Sequence, residues 1–336
     1  MIKKDLPSKS IEIKPLLLRP TGKDYLWGGN NLNDNYSKNL DIRPLAETWE
    51  CSTHTDGECF VVNGPFAGKT LKMVINDHKE YLGKNNRFCE DLPIMVKLID
   101  AKLKLSIQVH PDDEYAKIHE NQLGKTEFWY VLEAKEGAEL VYGFNQDVEE
   151  NTVIKAIEDG SLEKFLQSNQ VKKGDVFFIK PGIVHSIGEG IMVAEIQENS
   201  NVTYRLYDYN RINKDGKKRE LHIKKALDVL DMKTTEIQKQ PMRVLKYRPG
   251  LASELLCRCE KFQIERLLIN TERQRHLMEY RTDNMTFHVL LCINGCGIIK
   301  CCDETIAFFK GDCIFFPANT VTSRFHGKAE FLDISC

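Results

Sequence analysis

The chain has 336 residues, 42% of them hydrophobic and 29% charged, with a formal net charge of -2. Such a composition describes a soluble globular protein too long for one ordinary core, so two domains are expected. The near-neutral balance excludes broad attraction to nucleic acid or anionic lipid, and no apolar run reaches the roughly 18 residues of a membrane span. The basic N-terminus lacks an apolar segment and a small-residue cleavage site, so a cytoplasmic location is expected rather than secretion.

Residues 1–60 read as short strands and loops, with a turn at Trp27-Gly28-Gly29-Asn30. The periodicity of residues 68–83 predicts a helix that stops near Gly83. Beyond Pro93 the pattern changes. Leu103, Leu105, Ile107 and Val109 alternate with Lys104, Ser106, Gln108 and His110, the two-residue period of a strand. Glu127-Phe128-Trp129-Tyr130-Val131-Leu132 predicts a second strand, and residues 147–168 two short helices with solvated faces. Residues 174–187 read as strand, Pro181-Gly182 turn, strand; another strand follows over 192–196 and a helix over 219–231.

After residue 240 the chain is strand-rich and repeats itself. GDCIFFPANTVT at 311–322 echoes GDVFFIKPGIVHS at 174–186, and residues 288–300 echo 128–143. The second copy has Val321 where the first has His185, so the barrel is expected to survive there without its chemistry. Eight of the eleven cysteines lie beyond residue 250, and none forms a C-x-x-C pair. They are read as reduced, mostly buried thiols; the rival is a zinc site among Cys292, Cys296, Cys301 and Cys302, whose spacing fits no common module.

Three segments carry chemistry: Gln108-Val109-His110, Gly124-Lys125-Thr126-Glu127, and Pro181 with His185 four residues on. On a strand, residues 108 and 110 share a face. Glu127 opens the next strand, and His185 follows a proline turn. Imidazole, carboxylate and amide donors suit a first-row divalent ion with a position left open for substrate. The pattern is that of small-barrel metal sites, with Gln108 where a first histidine is common.

The chain resembles the type I mannose-6-phosphate isomerases in their short bacterial form. The resemblance rests on Trp27-Gly28-Gly29, Ala46-Glu47-Thr48-Trp49-Glu50 with Ser52 and His54, and Leu105-Ser106-Ile107-Gln108-Val109-His110-Pro111-Asp112. It continues through Gly124-Lys125-Thr126-Glu127, Pro181-Gly182 with His185, and Thr203-Tyr204-Arg205-Leu206-Tyr207-Asp208-Tyr209. It implies a mainly β fold of two cupin-like, jelly-roll barrels with a few helices. Residues 1–235 would form the catalytic barrel and residues 236–336 a degenerate barrel without a metal. It further implies one zinc ion on His110, Glu127 and His185, with Gln108 as fourth ligand. The implied reaction interconverts mannose 6-phosphate and fructose 6-phosphate through a cis-enediol. Arg205 would stabilise the enediolate, and Glu195, or else His54, would move the proton. Lys125 and Lys97, together with Arg205, are the candidates for the phosphate, while the basic loop at 210–219 is read as solvated. Two rivals stand beside the isomerase. One is a metal-barrel enzyme of another kind, which calls for a site richer in histidine. The other is a non-catalytic sugar binder, which calls for lost ligands.

Overall fold

The computed structural model describes residues 12–213, 216–236, 240, 242–274 and 277–336. The molecule is mainly β, with sheets of ten, six and five strands. Its centre is a pair of strands, Ile94–Ala101 and Ile191–Glu198, in which every residue is buried. They run antiparallel in continuous register from Ile94 opposite Glu198 to Ala101 opposite Ile191. Successive side chains on a strand point to opposite faces, so two different environments meet along each of them.

One face looks into the first barrel. The six-stranded sheet runs Val176–Ile179, Glu127–Ala134, Ile191–Glu198, Ile94–Ala101, Glu47–Cys51, Thr21–Lys23. It faces the five-stranded sheet of Tyr204–Tyr207, Ile107–Val109, His185–Ser186, Glu139–Phe144 and Leu166–Gln170. Ile99, Trp129, Val131 and Val193 meet Leu140 and Tyr142 in the core between them. The other face supports the second barrel. Val96, Leu98, Phe128, Tyr130, Ala194 and Ile196 pack with Val289, Leu291, Phe315, Leu332 and Ile334 of the ten-stranded sheet. The helices Glu150–Glu158 and Ile223–Val229 cover the outside of the five-stranded sheet through Val153, Ala156, Ile157 and Ala226.

The sequence echo is reproduced in the pairing of the central strands. Glu127 stands opposite Ile179 and Gln197, and His288 stands opposite Phe316 and Ser335. Lys97 opposes Glu195 as Glu265 opposes Asp333. His288, Asp333 and Glu265 therefore occupy the slots of Glu127, Glu195 and Lys97. Both copies open their proline-turn strand from a glycine with positive φ, +90° at Gly174 and +101° at Gly311. In the second barrel His288 Nδ1 lies 2.7 Å from Asp333 Oδ1, and the Tyr280 hydroxyl donates to Asp333 Oδ2 at 2.8 Å. The ten-stranded sheet also recruits Leu16–Arg19 and Phe60–Val61 from the N-terminal part, with Leu17 paired to Ile314. Residues on both sides of position 235 thus share the ten-stranded sheet.

Several local expectations are refined. The helix within 68–83 is Leu71–Asp77, capped by the Thr70 hydroxyl accepting from Met73 N, and a 3-10 turn carries the chain to Gly83. The strand around 103–110 is paired only over Ile107–Val109, because Leu103 and Leu105 donate their amides to the Trp27 and Ile187 carbonyls. The second helix within 147–168 is a single 3-10 turn, Leu162–Phe165, followed by the edge strand Leu166–Gln170. The helix in 219–231 spans Ile223–Val229.

Candidate active site

His110, Glu127 and His185 converge in the first barrel, and all three are buried. His185 is in register with Gln108 across the strand pair, and Gln108 is in register with Arg205 on the other side. The ring nitrogens are sorted by their partners. His110 Nδ1 lies 2.9 Å from the Val202 carbonyl and His185 Nδ1 2.8 Å from the Ile183 carbonyl. Each Nδ1 is therefore the donor, which leaves both Nε2 atoms as lone pairs aimed inward. They face each other at 3.1 Å and lie 3.3 and 3.6 Å from the oxygens of Glu127. Neither Glu127 oxygen accepts a hydrogen bond of good geometry, although Lys125 Nζ is 2.6 Å from Oε1.

The charges fit a cation seat. Burial pushes the His110 imidazole down to about 3, helped by the Lys125 ammonium, and burial likewise lowers His185, so both rings are neutral. Burial opposes ionisation of Glu127, but the adjacent Lys125 ammonium outweighs it and holds the carboxyl well below its usual range. Apart from each other and Glu127, the two inward Nε2 atoms have only long contacts of 3.4 Å, to Lys125 and Gln108, and neither buried Glu127 oxygen accepts a well-aligned hydrogen bond, so the point favours a further positive partner. The donor set matches a divalent metal of the zinc type. Gln108 reaches the same point, its amide nitrogen 3.4 Å from His185 Nε2. Turning the amide over would present its oxygen. Among the described residues this is the only group of three His, Cys, Asp or Glu side chains close enough to hold an ion, so the cysteines at 292, 296, 301 and 302 form no such cluster.

A small cleft of about 60 Å³ opens beside the cluster, walled by Glu47, Lys97, Gln108, Lys125, Glu195 and Arg205. Lys97 and Glu195 form a buried ion pair at 3.1 Å, and the Trp129 indole donates to the other Glu195 oxygen at 2.9 Å. Burial, reinforced by Glu127, pushes the Glu195 carboxyl up against the pull of Lys97 and Lys125. Arg205 makes no ion pair among the described residues, and its Nε is buried without a partner. Burial and the neighbouring Arg219 lower its pKa. Tyr25, Trp27 and Arg219 line both this cleft and a second one of about 230 Å³ further out.

Of the residues singled out in the sequence, Gln108, His110, Glu127, His185, Lys97, Lys125, Glu195 and Arg205 are brought together. His54 is not among the residues lining the cleft; its Nδ1 accepts from the Asp56 amide at 3.1 Å and its ring stands edge-on to Trp49. Two charged wall residues have no role in the sequence reading. Glu47 accepts from the Trp49 indole at 2.9 Å, and its alternation with Trp49 was the available signal. Arg219 belongs to the loop read as solvated, but Asp208 holds it bidentately, with Nε and Nη2 at 2.7 and 2.6 Å.

Residues 16–144 match the family model described as phosphomannose isomerase type I, catalytic domain. The mannose-6-phosphate isomerase ManA of Bacillus subtilis is 35% identical, the match covering 94% of this chain and 97% of that one. The mannose-6-phosphate isomerase of Streptococcus mutans is 34% identical over 95% of this chain and 97% of its own length. The crystal structure of the mannose 6-phosphate isomerase from Bacillus subtilis superposes with a TM-score of 0.86 at 32% identity, covering 96% of this chain and 99% of that one. A Salmonella typhimurium phosphomannose isomerase structure matches at a TM-score of 0.73 and 12% identity, over 95% of this chain and 98% of that one, a likeness of fold.

Proposed function

The chain belongs to the type I phosphomannose isomerase family, and on that premise we propose that it interconverts mannose 6-phosphate and fructose 6-phosphate with the aid of zinc. One observation carries the reading: two neutral imidazoles and an unsatisfied carboxylate meet at one buried point that opens into a cleft lined with charge. His110, Glu127 and His185 would hold the ion, with Gln108 as the fourth donor. Bound there, zinc would act as a Lewis acid on the sugar oxygens.

The remaining chemistry falls to the chain's own side chains. A proton leaves C2 of the aldose and arrives at C1 by way of a cis-enediol. Glu195 is the proposed base in preference to His54, because it lines the cleft and its carboxyl is displaced toward neutrality by burial. Lys97 and Trp129 fix it from two sides. Arg205 offers an unpaired guanidinium to the oxygen that gains negative charge, as electrostatic stabiliser. Lys97 and Lys125 are almost wholly buried in the cleft wall, so as substrate-binding groups they are proposed to meet sugar oxygens. The phosphate is proposed to lie toward Arg219, which joins the two clefts. A cytoplasmic setting is part of the reading, supported by eleven cysteines that are all free.

The test is an assay of mannose 6-phosphate to fructose 6-phosphate conversion on metal-replete and chelated protein. Conversion is expected to disappear on chelation and return with zinc. Turnover that survives complete removal of metal would overturn the mechanism.

A further inference from the structure

The second barrel has Val321 where the first has His185, yet it touches the first barrel at a place that matters. The strands Leu251–Arg258 and Gln263–Asn270 are joined by a tight hairpin, closed by the Cys259 amide donating to the Phe262 carbonyl at 3.0 Å. Phe262 is 2% exposed in the core between the barrels, so the hairpin is firmly seated. Its tip residue Lys261 reaches two carboxylates of the catalytic barrel. Lys261 Nζ lies 2.9 Å from Glu198 Oε2 and forms a second ion pair with Asp113.

Those two carboxylates serve one short segment. Asp113 Oδ1 accepts the Gly124 amide at 2.8 Å, and Glu198 Oε1 accepts the Thr126 amide at 3.0 Å. The Lys125 amide between them donates to the Pro111 carbonyl at 3.0 Å. Three consecutive amides are therefore held at three points, two of which rest on the same lysine. The segment also has no room to slide, since a Cβ on Gly124 would lie 2.5 Å from the Asp113 nitrogen. It carries Lys125 and leads directly into Glu127, the carboxylate of the cation seat. Glu198 is only 5% exposed on its side chain, so without Lys261 it would be a buried charge lacking its countercharge.

We propose that Lys261 is a positioning residue for the active site, through which the second barrel sets the placement of Lys125 and Glu127 in the first. The role assigned to Lys125 and Glu127 rests on the function proposed above, but the mechanical claim does not.

The experiment compares Lys261→Met and Lys261→Arg with the parent protein by three measurements. The first is hydrogen exchange of the Gly124 and Thr126 amides in metal-free protein, with the Val131 amide as a control. The second is titration with cobalt(II), followed by its visible absorption. The third is kcat and KM for mannose 6-phosphate. In Lys261→Met the two amides should exchange at least about 10-fold faster while Val131 is unchanged, and cobalt affinity should fall about 10-fold, as for other supports of metal ligands. Turnover should fall and KM should rise, because Lys125 and Glu127 are both displaced, and Lys261→Arg should restore all three. Parent-like exchange and cobalt affinity in Lys261→Met would overturn the proposal. So would a lowered Tm with no selective change at these amides, or an arginine that fails to rescue. If the parent protein does not turn over mannose 6-phosphate, the functional reading fails while the exchange and cobalt results still decide this one.

Discussion

Replacing Lys97 by methionine keeps most of the stem and removes the ammonium 3.1 Å from Glu195. Both side chains are 4% exposed, so solvent does little to screen the pair. At an effective dielectric of about 20, unit charges at this separation attract by about 5 kcal/mol. One pH unit of carboxyl ionisation corresponds to about 1.4 kcal/mol, which sets a ceiling of about 4 pH units on the displacement of Glu195. Lys125 and the Trp129 indole remain, so about 2 pH units is the expected displacement. The acid limb of the kcat/KM profile should move upward by that amount, giving a roughly 100-fold loss below it and recovery in alkali. The stability sign follows. A carboxyl raised in the folded state contributes most below its unfolded value of about 4.3, and the contribution is lost as pH rises through the folded value, so the variant should lose stability across a wider alkaline span. The assay is kcat/KM against pH, with metal content and Tm measured alongside. A profile that superimposes on the parent's, or a uniform loss with an unmoved limb, would refute Glu195 as the base.

Three further outcomes are expected. His185→Ala should purify folded but with most of its metal absent by elemental analysis, because one of two inward imidazole lone pairs is gone. Arg205→Ala should lose about 100-fold in turnover while retaining metal, as expected for removal of a stabilising charge. Arg219→Gln should raise KM for mannose 6-phosphate by about 10-fold, the worth of one charge-assisted hydrogen bond, with little change in inhibition by unphosphorylated mannose.

Much of the site was visible in the sequence because it is local. Gln108 and His110 share a strand face, Lys125 and Glu127 share a strand entrance, and His185 is marked by its proline turn. The echo at 311–322 also exposed the duplication, since both copies need glycine at the same bend. What escaped depends on closure over long distances. Arg219 looks like any loop cation until Asp208 is seen to hold it. Lys261 looks like a hairpin-tip lysine, and its meaning lies in Asp113 and Glu198, far away in the chain. The Leu166–Gln170 strand has a polar sequence without alternation, and it is a strand because Glu139–Phe144 offers it an edge.

The strand Ile94–Ala101 serves two masters in strict alternation. Lys97 and Ile99 line the candidate cleft, while Val96 and Leu98 are mortar between the two barrels. Natural variation at these four positions can therefore be sorted by the face each side chain takes. Changes at Lys97 and Ile99 alter the cleft, and changes at Val96 and Leu98 alter how firmly the halves adhere. One eight-residue ribbon lets catalysis and cohesion drift independently, with neither obliged to follow the other.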